Sequence, residues 1–248
     1  MNNYNFDDFT EENYRILLKL TKKKWQFIDF PSYQTRSRAC LWRHDIDFSV
    51  QRAYRLAEIE FEENVKATYF VNLHSCFYNA LEIENINLIK RIIGFGHYLG
   101  LHFDAAAYPN SSLNINWLVE KITNEVRILE NFFEVSIKCF SFHNPGIWNA
   151  MLYDDDEIAG LVNAYGKTIR NNFIYITDSN GYWRYQRLFD VLEKAEAQRL
   201  HILTHDAWWQ KIPMSPNERV RRCINGRAEK VWITYEETLR SAGRKLVE

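Results

Sequence analysis

Cysteine is scarce and scattered. The 248 residues include four, Cys40, Cys76, Cys139 and Cys223, with no CxxC pair among them. That spacing argues against a zinc finger or a dense disulfide framework and predicts scattered buried thiols. No apolar run approaches the roughly 18 residues needed to span a bilayer. The opening stretch, Met1-Asn2-Asn3-Tyr4-Asn5-Phe6-Asp7-Asp8, has neither a basic patch nor an apolar segment. No export signal is therefore expected, and the expected location is the cytoplasm. An excess of either charge is missing too: 31 Lys and Arg face 32 Asp and Glu, a net charge of −1. No global field then draws the chain to nucleic acid or to an anionic membrane. Internal repeats, low-complexity segments and the glycine patterns that cradle nucleotide phosphates are also absent.

Hydrophobic residues make up 46% of the chain and aromatics 15%, enough for the core of one large domain. Thr10 can cap an opening helix, with Glu11 and Glu12 at its positive end. Beyond it the chain alternates short β-rich runs with helical patterns. Strands are predicted over 40–47, 67–71, 97–103, 139–142, 173–176 and 202–204. Helical spacing joins Val50 to Phe61, Ile86 to Ile93 and Ile115 to Phe133, and recurs over 185–198 and 217–246. Such alternation implies parallel strands with crossover helices, in a barrel or an open sheet. Asp45, Asp47, His102, His143, Asp178 and His205 all fall at or just beyond the C-terminal ends of these strands. In a barrel those ends converge on one pocket. The expected fold is α/β, an irregular (β/α)7-type barrel: a single domain over 1–248, with residues 1–35 as an N-terminal helical extension.

The densest chemistry is in Arg43-His44-Asp45-Ile46-Asp47. On a strand, the period of two turns both Asp side chains to the same side. Carboxylates that close favour a cation or raise one another's pKa. Taken alone, the pair also suits a helix cap before Ser49. His44 would point to the other side, into packing or a supporting hydrogen bond. His97, which begins its strand, is expected to be structural. Trp208 and Trp209 fit the core as well as a sugar-stacking platform. Arg184 suits a phosphate or carboxylate of a substrate, or a surface acid. Asp154-Asp155-Asp156-Glu157 reads as a solvated loop or helix start.

Taken in order, these segments resemble the motifs of the polysaccharide deacetylase family (NodB-homology, carbohydrate esterase family 4). The match runs over roughly residues 40–210. Asp45-Ile46-Asp47 resembles the first motif, which would make Asp45 the general base and Asp47 a metal ligand. Gly96-His97-Tyr98-Leu99-Gly100-Leu101-His102 resembles the second, whose last His binds metal. Phe142-His143-Asn144-Pro145-Gly146 resembles the third, Asp178 with Trp183 the fourth, and Leu203-Thr204-His205-Asp206 the fifth, whose His is the general acid. Two departures mark a divergent member. Ala106 stands where the family has a second metal His, and His143 replaces the Arg of the third motif. His143 is therefore expected as the third ligand beside Asp47 and His102, or else as the group that orients Asp45. Asp178 or Asp206 would support His205.

The resemblance implies a metal-dependent hydrolase that removes an N-acyl group from an amino sugar in surface-polysaccharide biosynthesis. Its expected cofactor is a divalent cation, zinc above others. Its expected partner is a nucleotide- or lipid-carrier-linked N-acylated sugar, held in part by Arg184 and Trp208. Allantoinase-like hydrolysis of a non-sugar C–N bond is one alternative, and a metal-free carbohydrate-binding pseudoenzyme is another.

Overall fold

Eight consecutive buried residues, Ala39–Ile46, form the central strand β2 of the computed structural model, which describes residues 4–108, 114–146 and 149–247; residues 1–3 of the expected extension lie outside them. Before it come helix α1 (Glu11–Lys24), capped by the Thr10 side chain, and a short strand β1 (Gln26–Ile28). After it follow α2 (Val50–Glu62), β3 (Thr68–Val71), α3 (Ile83–Gly94), β4 (Tyr98–Phe103), α4 (Ile115–Phe133) and β5 (Cys139–Phe142). The second half holds β6 (Glu157–Ile158), β7 (Leu161–Asn163), α5 (Lys167–Asn172), β8 (Ile174–Thr177), α6 (Leu188–Lys194), β9 (Arg199–His205) and α7 (Pro216–Ser241).

The strands form one curled sheet in the order β6-β7-β5-β4-β3-β2-β9-β8, with β1 beside the start of β2. Seven parallel strands, β7-β5-β4-β3-β2-β9-β8, make up the expected irregular barrel. No ladder joins β8 to β7 among the described residues. There, Tyr165 just after β7 and Tyr175 of β8 face each other, with ring centroids 6.4 Å apart.

Strand β1, the β6–β7 hairpin and the short helix α5 were not expected from the sequence. The strands are too short to show a period of two, and the six residues of α5 too few to show a helical face. The hairpin turns on Ala159 and Gly160, both at positive φ (55° and 74°), as a two-residue turn of this hand requires. An Ala in the first position hides that turn from a reader looking for Asn-Gly. The acidic run at 154–157 enters this hairpin rather than a helix of its own. Asp156 instead accepts from the Thr168 backbone N–H and hydroxyl, at 2.7 and 2.5 Å, at the start of α5.

Alternation along the strands splits the interior in two. Trp42, Tyr69, Leu101, Phe140 and Ile202 face the helices and form the main core. Leu41, Phe70, Cys139 and Val162 fill the barrel itself, with Phe30 and Tyr33. Cys40 and Cys139 are the expected buried thiols, whereas Cys76 is exposed and Cys223 partly so. The N-terminal extension is tied to the segment after β9: Gln210 donates to the Phe9 carbonyl (2.9 Å), and Glu11 donates to the Gln210 carbonyl (2.8 Å).

Gly100 makes the barrel interior possible. A β-carbon there would lie 2.6 Å from the Phe70 ring and 3.1 Å from the Cys139 sulfur. Gly100→Ala should therefore cost about 1–3 kcal/mol by overpacking. A thermal melt of the variant should show a midpoint several degrees lower; an unchanged midpoint would contradict this packing account.

Candidate active site

Five strand ends, those of β2, β4, β5, β8 and β9, deliver the polar groups. On β2 the odd positions face the barrel, so Arg43 and Asp45 point inward and Asp47 follows at the rim. His102 comes from β4, His143 is the first residue beyond β5, and its N–H continues the ladder to the Phe103 carbonyl at 2.8 Å. Asn144 then turns the chain at φ 44°, a left-handed conformation that Asn tolerates better than most residues. Asp178 directly follows β8, and His205 ends β9.

Asp47, His102 and His143 converge on one point. Asp47 Oδ1 lies 3.3 Å from His102 Nε2 and 3.3 Å from His143 Nδ1, and the two ring nitrogens are 3.1 Å apart. A tetrahedron with bonds of about 2.0–2.1 Å has edges of roughly 3.3–3.4 Å, so these atoms fit one face of a zinc-type site. Asp47 Oδ1 is buried and has no hydrogen-bond partner. That orphaned oxygen, facing two imidazole nitrogens, is the donor set a divalent cation takes. His102 Nδ1 sits 2.7 Å from the Ser141 hydroxyl. A proton on Nδ1 serves that bond and leaves the Nε2 lone pair aimed at the convergence point. Burial would raise the Asp47 pKa, but the imidazoles of His102, His143 and His205 hold it well below the usual carboxylate value. His143 is raised: burial opposes its charge, and Asp47 outweighs burial.

Asp45 is held differently. Arg43 grips it with two parallel hydrogen bonds, Nε to Oδ1 and Nη2 to Oδ2, each 2.7 Å. Burial raises its pKa, and the Arg43 guanidinium together with the nearby His102 and His205 more than offsets this, so Asp45 stays ionised. The structure thus brings His143 to Asp47 and His102, and gives the grip on Asp45 to Arg43. Sequence reasoning passed over Arg43, although the period that paired Asp45 with Asp47 puts it on the same face.

His205 is paired with Asp178. Its Nδ1 lies 2.6 Å from Asp178 Oδ1, and its backbone N–H donates to Oδ2 at 3.1 Å. The Thr204 hydroxyl donates to the same Oδ2 at 2.6 Å and itself receives the Trp209 indole N–H. Burial would depress the imidazole, but Asp178, with Asp47 and Asp45 beyond it, raises its pKa to about 9. Asp206 does other work. It accepts from the backbone N–H groups of Asp47 (3.0 Å), Phe48 (3.2 Å) and Ser49, and so fixes the turn that presents Asp47. Burial, and then Asp47, push Asp206 up to about 7, while those N–H groups pull it down.

The register pairs Asp45 with His205 across β2 and β9. Their side chains diverge: Asp45 Oδ2 lies 3.5 Å from His102 Nε2, and His205 Nε2 lies 3.8 Å from Asp47 Oδ2. A cleft of about 450 Å³ opens over Asp45, Met151, Tyr175, Leu203 and Arg184, and a second limb of about 440 Å³ runs past Asp47 toward His74, Asp104 and Trp208. Arg184 is exposed at this rim, its guanidinium over the Tyr185 ring. Trp208, nearly buried, packs on Phe48 and lines this second limb, whereas Trp209 is fully buried. His44 and His97 lie on the outer face of the sheet around the buried Glu60. His44 Nε2 is 2.6 Å from its carboxylate, which also receives the Tyr14 and Tyr69 hydroxyls.

No protein-family model and no curated protein matches the sequence. Solved structures do resemble it, and they include members of carbohydrate esterase family 4. One is the wild-type family 4 pseudoenzyme BA3943 of Bacillus anthracis, at 16% identity over 79% of this chain and 62% of that one, with a TM-score of 0.44. This chain therefore spans less than two thirds of that relative. Another is the chitin deacetylase of Colletotrichum lindemuthianum, at 14% identity over 78% and 84%, with a TM-score of 0.44. A third is a family 4 acetyl xylan esterase of Clostridium thermocellum bound to cobalt, at 16% identity over 84% and 86%, with a TM-score of 0.43. At such loose superpositions, what the chain does must be read from its own side chains.

The Asp178–His205 pair yields a measurable outcome. In metal-free protein, the His205 ring should titrate near pH 9 by NMR, and in Asp178→Asn it should fall toward the ordinary value of about 6.5. A raised folded-state pKa gives stability that is full below about 6.5 and is lost as pH rises through the folded value. The stability gap between the two proteins should thus be widest at pH 6 and closed above 9; an unshifted His205 titration would break the pairing argument.

Proposed function

We propose that the protein is a metal-dependent hydrolase that removes an N-acyl group from an amino sugar. The observation that carries this reading is the convergence of Asp47, His102 and His143 on one point, with Asp45 and His205 directly beside it. When bound there, a divalent cation would polarise the acyl carbonyl and lower the pKa of a water toward neutrality. Asp45, kept ionised and oriented by Arg43, accepts the proton of the attacking water. His205, charged at neutral pH and held at Nδ1 by Asp178, has its Nε2 proton free for the departing amine. That donation makes the amine a workable leaving group, and water's elements end divided between carboxylic acid and amine. The cleft continues on both sides of the centre, which suits a substrate extending past its acyl group. Trp208 offers an apolar edge to a sugar face, and Arg184 at the rim suits the diphosphate of a nucleotide- or lipid-linked sugar made for surface polysaccharide. Zinc matches the donor set and its edges.

Metal content and turnover test this separately. Protein purified without chelator should carry about one divalent cation per chain, and His143→Ala should bind it at least tenfold more weakly. Asp45→Asn and His205→Ala should keep the fold and lose turnover by two orders of magnitude or more. Amine release should be measured across nucleotide-linked N-acetyl sugars, chitin oligomers, peptidoglycan fragments and cyclic amides. Preference for polymer fragments would overturn the carrier-linked substrate, and preference for cyclic amides would overturn the sugar. Full activity in Asp45→Asn would remove the assigned base.

A further inference from the structure

Asp45 is placed almost as a ligand is. Its Oδ2 lies 3.5 Å from His102 Nε2, and the Asp47 oxygen facing the same nitrogen is only slightly nearer, at 3.3 Å. A free carboxylate in that position, next to a dication, would rotate to bind it. The position a catalytic site keeps open would then be filled by protein. The carboxylate is not free, because both its oxygens are held by Arg43 at 2.7 Å. Arg43 in turn cannot drift. It is fully buried, its guanidinium lies over the Phe70 and Tyr165 rings at 5.0 and 4.8 Å, and Nη2 also donates to the Tyr165 hydroxyl at 3.2 Å. A fork with two donors in fixed geometry restrains a carboxylate's rotation, where a single ammonium would leave one oxygen loose.

We propose that Arg43 is a positioning residue that keeps Asp45 out of the ligand set of the cation held by Asp47, His102 and His143. It does so by occupying both oxygens of Asp45, which leaves that carboxylate beside the metal rather than on it. The inference rests on the metal site proposed above. It differs from a merely structural role for Arg43 in one respect: losing the guanidinium should tighten metal binding while activity falls.

Cobalt(II) titration of the full, metal-depleted chain, followed by its visible absorption, reads this without any substrate. Arg43→Lys keeps the charge but not the fork, and should bind cobalt at least fivefold more tightly than the unmodified protein, with an altered spectrum. Arg43→Met should show a larger gain, of tenfold or more. Adding Asp45→Asn to Arg43→Met should return affinity to within about threefold of the unmodified protein. A gain that survives in that double variant would be a charge effect alone and would overturn the proposal, as would unchanged or weaker binding in Arg43→Lys. Should the Arg43 variants not fold, Asp45→Asn by itself decides the matter. Affinity within about threefold of the unmodified protein supports the proposal, and a tenfold loss shows that Asp45 is already a ligand and overturns it. Failure of the unmodified protein to bind cobalt would sink the metal site and this inference together, and is distinguishable from every result above.

Discussion

Asp45, Asp47, Asp178 and Asp206 converge at one end of the barrel, and carboxylates buried this near one another must each find a separate counter-charge or donor set. Three of the four do so within the chain. Asp45 has the fork of Arg43, Asp178 has the imidazole of His205 and the Thr204 hydroxyl, and Asp206 has three backbone N–H groups. Asp47 faces two imidazoles and keeps one buried oxygen without a hydrogen bond. The difference among the four, more than the identity of any one residue, is what marks the place proposed for a cation.

The scaffold around the site follows from this charge problem. Phe70, on the neighbouring strand β3, lies against the guanidinium, and Gly100 must lack a side chain for Phe70 to fit. The loop after β8 is fastened from outside: Arg219, the buried residue of α7, donates to the Gly181 carbonyl at 3.0 Å. The N-terminal extension braces the same end, through Gln210 and through the Asp8–Arg187 pair with contacts of 2.6 and 2.7 Å. Segments distant in sequence thus converge on the backbone that carries Asp178 and Asp206.

The strands that carry the site were legible because each is an apolar run ending in a polar residue, and that residue is what chemistry needs at a barrel mouth. Strand β5 matches its sequence-based bounds at 139–142, and β4 differs by one residue. Strand β1 and the β6–β7 hairpin were not legible, since two or three residues carry no period and Ala159 disguises the turn. Within the site, position along a strand could say which side chains face inward but not which partner each would choose. His143 had two candidate tasks, and only the third dimension shows Arg43 already engaged with Asp45. Asp178 and Asp206 were likewise interchangeable on paper. The sequence pattern has no means of telling a carboxylate facing an imidazole from one facing three backbone N–H groups.

Arg43 and Asp45 sit two residues apart on one strand, whereas Asp47, His102 and His143 come from three segments that span nearly a hundred residues. Closing the first pair costs almost no chain entropy, and closing the second set costs a great deal. The two halves of the centre therefore belong to different stages of assembly. Asp45 can meet its guanidinium as soon as β2 is extended, while the meeting point of Asp47, His102 and His143 exists only once β2, β4 and β5 lie side by side. A local loosening between β4 and β5 would separate His102 from His143 and leave the Arg43–Asp45 pair intact, so a breathing motion of this barrel would empty the proposed cation site well before it disturbed the proposed base.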